Sequence, residues 1–268
     1  MTEPLSRLSL LFTDLDGTLL ARDESVASPV VNQLRSARAR GVAIVPATAR
    51  GITSVRSIAQ RTGLGPIAVC ANGAVGYHLE RDIVLWVRAL PSGFVRFAVE
   101  RLLNQDDGFY FAVSSTTQFW PQRDFLASPT STQQAYDLKE LYAVDPAIRL
   151  ICRHRDAHAD ELIETLGGLL SGVQLISGST DWVEILPKGV NKGFGVGLAA
   201  EILGVALEDC VAVGDHLNDL PMLRSVGHPF TVKNAHSAIL ATGATLIASN
   251  EEGGVGELAA RMGYQERC

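Results

Sequence analysis

Four cysteines in 268 residues, at positions 70, 152, 210 and 268, are too widely spaced to form a C-x-x-C pair. That argues against a zinc site or a disulfide framework and leaves reduced thiols in a cytoplasmic protein as the expectation. An excess of positive charge is also missing, since 23 Lys and Arg face 29 Asp and Glu, for a net charge of -6. Such a chain has no electrostatic reason to bind nucleic acid or an anionic membrane. No apolar run is long enough to span a bilayer, and the opening MTEPLSRLSLLF carries an acidic Glu3 and no long apolar core, unlike a signal peptide. Internal repeats and low-complexity tracts are absent. What is present is an ordinary globular composition, 47% apolar and 19% charged, sufficient for one large domain or two smaller ones.

Strand and helix signals alternate over the first eighty residues. Residues 8–13 form a short continuous apolar run, as in a strand buried on both faces of a parallel sheet. Residues 29–40 have helical spacing and stop at Gly41, 42–47 form a second apolar run, 52–62 a second helix and 66–71 a third strand. The pattern returns with a helix over 192–203, the strand DCVAVGD ending at Asp215, a short helix over 217–225, and the runs GHPFTV and ATLIAS. This predicts an α/β fold, a Rossmann-like parallel sheet with right-handed crossovers and helices on both faces. The middle differs. IVLWVRAL, GFYFAVSS and DWVEIL alternate as in an antiparallel sheet with one open face, all three tryptophans fall there as expected core residues, and 114–134 reads as a polar loop. The division implied is a core of residues 1–80 and 187–268, interrupted by an inserted α+β domain of residues 81–186.

Ligands of open parallel sheets sit beyond the carboxyl ends of the strands. The strand ends here carry Asp14 and Asp16, Thr48, Asn72, and Asp215 with Asp219, while Lys192 opens a helix. Two aspartates one residue apart are more than a turn needs. Brought together, these carboxylates would repel and resist desolvation unless a cation joined them, and an oxygen-seeking ion such as Mg²⁺ suits them. Lys192 could hold the negative oxygens of a phosphoryl group.

D-x-D-G-T after the first strand, Thr48 after the second, K-G at Lys192 and Gly193, and G-D-x-x-N-D at residues 214–219 together resemble the haloacid dehalogenase-like phosphohydrolases. The insertion between Thr48 and Lys192 is similar in place and length to the α+β cap of the Cof-type branch, and VEILPKGVNKG is similar to that branch's approach to its lysine. The resemblance implies a Mg²⁺-dependent phosphatase acting on a small phosphorylated metabolite, a sugar phosphate above all. It implies Asp14 as nucleophile, forming an aspartyl-phosphate, and Asp16 as the acid and then the base. It further implies Asp14, Asp215 and the main-chain carbonyl of Asp16 as metal ligands, and Thr48, Lys192 and Asn218 as phosphoryl-binding groups. Asp219 would orient Lys192 or a metal-bound water, and Arg50 would lie close to the substrate.

The second motif reads T-A-R where Cof-type members read T-G-R, and VPAT and NDLPML are similar to the mannosyl-phosphoglycerate and sucrose-phosphate phosphatases. Phosphomannomutase-type phosphomutases share the motifs, and a phosphometabolite binder without turnover is a third reading. Asn72 is balanced between a turn residue and a site wall, and Lys188 competes with Lys192. His154 and His158 stand four apart, but RHRDAH reads as a solvated face rather than a metal site. The oligomeric state is open.

Overall fold

In the computed structural model residues 5–125, 134–177 and 180–263 are described; Cys268 and part of the expected 114–134 loop lie outside them. The chain divides into two compact units, Met1–Trp86 with Asn191–Cys268, and Val87–Val190.

The first unit opens with β1 (Leu10–Thr13), α1 (Ser28–Ala39), β2 (Ala43–Pro46), α2 (Ile52–Thr62), β3 (Ile67–Cys70), β4 (Val75–His78) and β5 (Ile83–Val87), at whose end the chain crosses to the second unit. There follow α3 (Phe94–Leu103), β6 (Phe109–Ser114), β7 (Phe119–Pro121), α4 (Leu138–Tyr142), β8 (Arg149–His154), α5 (Ala159–Leu169), β9 (Val173–Ser177) and β10 (Val183–Pro187). The chain then returns through α6 (Lys192–Leu203), β11 (Cys210–Gly214), α7 (Leu220–Leu223), β12 (His228–Val232), α8 (Ser237–Leu240), β13 (Thr245–Ile247) and α9 (Gly254–Ala260).

Five parallel strands lie in the order β13-β12-β11-β1-β2. All four residues of β1 are fully buried, which is why its sequence is an unbroken apolar run closed by a threonine. On α1, Val30, Leu34 and Ala37 recur at helical spacing and are buried, and the helix packs beside α9 and α2. α6 packs with α7. Its start is fixed by Asn191, whose Oδ1 accepts from the Phe194 N–H at 3.0 Å.

The third expected parallel strand takes a different place. β3 pairs antiparallel with β4 in a three-stranded sheet, β3-β4-β5, and its segment meets the parallel sheet through isolated bridges, Ala47 with Val69 and Ile44 with Gly65. The strand within IVLWVRAL is β5 of this small sheet. Trp86 is therefore a residue of the first unit and not, as the sequence suggests, part of the inserted domain's core.

In the second unit β7-β6-β8-β10-β9 form an antiparallel sheet. Phe109, Phe111, Val113, Leu150, Cys152, Val183 and Ile185 occupy alternate positions, hence one face, and pack with Val99 and Leu102 of α3 and Leu162 and Leu166 of α5. Ser114, Arg149 and Glu184 stand at the intervening positions: Arg149 donates to Glu184 at 2.7 Å and to Ser114 Oγ at 3.1 Å. The polar 114–134 stretch is not all loop, since β7 and a 3₁₀ turn over Arg123–Phe125 lie within it. His154 closes β8 and His158 caps α5, so the two never share a helix face.

Candidate active site

Register builds the site. Thr13 of β1 pairs with Val213 of β11 on one side and Pro46 of β2 on the other. Asp14 donates its N–H to Val213 O at 3.0 Å, and Ala47 donates to Thr13 O at 2.9 Å. Asp14 directly follows β1, Asp215 directly follows β11, and Thr48 comes two residues after β2, so the three leave the sheet at the same edge.

Lys192 brings the charge. Its side chain is fully buried, and Nζ lies 2.6 Å from Asp14 Oδ1 and 2.6 Å from Asp219 Oδ1. Burial works to lower its pKa, but the two carboxylates outweigh burial and hold it above the ordinary lysine value. Lys188, the rival in sequence, is exposed. The Asp219 Oδ2 atom accepts from the N–H groups of Asp215 at 2.9 Å and His216 at 3.0 Å. With Lys192 on its other oxygen, three of its lone-pair directions are used, so Asp219 acts as a brace for Lys192 and for the backbone after β11.

Asp14, Asp215 and Asp219 each offer an oxygen within 4.8 Å of the others. One ammonium does not balance them. Burial raises the Asp14 pKa well above the usual carboxylate value, against the pull of Lys192, and burial raises Asp215 to about 6. Carboxylates desolvated in this way fit a hard divalent cation. Because Asp219 is already engaged, Asp14 and Asp215 are the side chains with oxygens to give.

Thr18 donates to Asp215 Oδ1 at 2.7 Å, and Gly17 sits against the same carboxylate. Gly17 has φ +77°, and a Cβ there would lie 2.5 Å from Asp215 Oδ2, so both backbone shape and space require glycine. Asn234 donates to Gly17 O at 2.7 Å. Thr18 was visible in the D-x-D-G-T motif without a role, and Asn234 follows β12 at the same edge of the sheet, which is the signal that would have found it.

Asp16 is placed differently from Asp14. Its carboxylate is exposed and gripped by Arg50, with Nε to Oδ2 at 2.8 Å and Nη2 to Oδ1 at 2.5 Å, while Arg50 also reaches Glu24 at 2.7 Å. Hydrogen bonding to Asp16 and then to Glu24 raises the Arg50 pKa despite partial burial. Thr48 Oγ1 accepts from the Arg50 N–H at 3.1 Å, which leaves its hydroxyl proton free to be donated. Asn218 donates through Nδ2 to Asn72 Oδ1 at 3.1 Å. Asn72 is fully buried and, with Ala71, has a left-handed backbone (φ 51° and 49°). For a non-glycine residue that conformation costs about 1–2 kcal/mol.

The haloacid dehalogenase-like hydrolase family matches residues 11–258. The chain belongs to that family. An HMP-PP phosphatase of Yersinia pseudotuberculosis (serotype O:1b, strain IP 31758) is 30% identical over 237 residues, 83% of this chain and 82% of the relative. Among solved structures, the phosphatase BT1666 of Bacteroides thetaiotaomicron superposes with a TM-score of 0.81 at 20% identity, over 94% of this chain and 93% of that one. The HAD subclass IIB sugar phosphatase BT4131 gives 0.78 at 20% identity, over 93% and 96%. The chain is thus a hydrolase of the haloacid dehalogenase-like family, the family its motifs resemble.

Removing the Asp219 carboxylate tests the brace. Asp219→Ala leaves Lys192 one partner short and two N–H groups unpaired, and should cost about 3–5 kcal/mol in denaturant unfolding. An unchanged midpoint would contradict the assignment.

Proposed function

We propose that this hydrolase is a phosphatase that acts in the cytoplasm on a small phosphorylated metabolite, with Mg²⁺, through an aspartyl-phosphate on Asp14. The observation that carries the reading is the buried Lys192 ammonium held 2.6 Å from both Asp14 and Asp219 beside the desolvated Asp215. A cation in that position aims Asp14, favours its charged form against burial, and meets the negative oxygens that otherwise repel a nucleophile.

Asp14, Asp215 and the main-chain carbonyl of Asp16 would hold Mg²⁺. When bound, the ion supplies positive charge against the phosphoryl oxygens. The chain's own groups do the rest. An Asp14 oxygen attacks phosphorus while the bond to the leaving oxygen breaks. Asp16 gives its proton to that oxygen, and the alcohol departs. The same carboxylate then takes a proton from the water that attacks the aspartyl-phosphate, releasing phosphate and restoring Asp14. Thr48, Lys192 and Asn218 hold the phosphoryl oxygens throughout. Both Asp16 oxygens accept from Arg50, so the fork must open before Asp16 can meet the leaving oxygen.

The second unit is the substrate-selecting cap in this reading. The HMP-PP phosphatase relative and the structural likeness to a sugar phosphatase support a small phosphorylated compound as substrate, with sugar phosphates as the favoured class.

Phosphate release from a panel of sugar phosphates and HMP-PP should require Mg²⁺, stop in EDTA, and fall by at least about 10³-fold in Asp14→Asn. Full turnover in chelator, or an undiminished variant, would overturn the proposal.

A pH dependence follows from Asp215. Its folded pKa of about 6 lies above the reference value of 3.8, so the folded protein binds that proton more tightly than the unfolded chain does. Without a cation, this group's contribution makes stability fall as pH rises from about 4 to about 6. Mg²⁺ must displace the proton, so it should raise the thermal midpoint more at about pH 8 than at about pH 5. An equal shift at both would contradict the assignment.

A further inference from the structure

Two of the groups proposed to bind phosphoryl oxygens, Thr48 and Asn218, meet one short turn, Ala71–Gly73, and the helix that Lys192 opens packs on it. The Asn72 N–H donates to Thr48 O at 2.9 Å, and the Ala71 N–H donates to Arg50 O at 2.9 Å. The Asn72 side chain accepts from Asn218. The start of α6 presses on Gly73: a Cβ there would run into the Asn191 carbonyl, one residue before Lys192. Two successive non-glycine residues in left-handed conformation persist only where their surroundings hold them, and such strain points to a function.

What holds the turn from behind is Trp86. Its indole Nε1–H donates to Gly73 O at 3.1 Å, and its ring lies on Gly76, where a Cβ would overlap it. The indole is nine-tenths buried, so that bond is not exchanged for water at little cost. Trp86 and Asn191 are also the residues at which the chain leaves and re-enters the first unit, and both touch Gly73.

We propose that Trp86 is a positioning residue of the phosphatase. By bonding to the Gly73 carbonyl it fixes the left-handed turn, and through the Asn72 amide it aims Asn218 at the phosphoryl group. Trp86 itself does not touch substrate. The inference rests on the reading of Asn218 as a phosphoryl contact.

The test is a double-mutant cycle on the affinity for inorganic phosphate, measured by calorimetry with Mg²⁺ on the full chain, so that it does not depend on turnover. Trp86→Phe keeps the ring and removes the N–H. It should weaken phosphate binding roughly 3- to 10-fold, the worth of one neutral hydrogen bond. In an Asn218→Ala background the same change should have no further effect. Asn72→Gly removes the amide that meets Asn218. Glycine accepts the left-handed backbone, so phosphate affinity should fall as in Asn218→Ala. Multiplicative losses in the cycle, wild-type affinity in Trp86→Phe, or wild-type affinity in Asn72→Gly would each overturn the proposal. Failure of the wild type to release phosphate from any ester, with the coupling intact, would remove the phosphatase reading and leave this one standing.

Discussion

A lysine ammonium with no exposed surface, suspended between Asp14 and Asp219, is the interaction on which the rest of the first unit depends. A buried charge survives only if its partners are as well fixed as it is. Asp14 is fixed by its place in register with β11 and β2. Asp219 is fixed by two backbone N–H groups, and Lys192 by a helix whose first turn is capped by Asn191. The parallel sheet supplies the register, and the crossovers supply the helix.

The same arrangement leaves a surplus of negative charge. Asp215 stands beside the pair, steadied by the Thr18 hydroxyl and crowded by Gly17, with its carboxyl pushed up to about 6 by burial. Such a site suits a positive charge. Asp16 lies outside it, its carboxylate gripped by Arg50, which also reaches Glu24. One Asp-x-Asp step thus places two carboxylates in opposite environments, one desolvated and one in an exposed ion pair.

Much of this was legible in the chain. Short apolar runs closed by Asp14, Thr48 and Asp215 read as strand ends, and strands in a parallel sheet end together, so the cluster followed from the pattern. Lys192 was separable from Lys188 because a helix begins at it. What escaped depends on contacts distant in sequence. The grip of Arg50 on Asp16 joins two strand ends and leaves no local trace. β5 alternates like any edge strand, so nothing in IVLWVRAL shows that Trp86 belongs to the first unit. Residues 114–134 are polar enough to read as loop, yet β7 forms because β6 offers it a partner.

The most direct measurement is an acid quench during turnover of a phosphate ester, followed by mass analysis of the peptides. The account predicts a phosphoryl group on Asp14 in the wild type, and its loss in Lys192→Met. Steady phosphate release with no label on Asp14, or label on another residue, would contradict it.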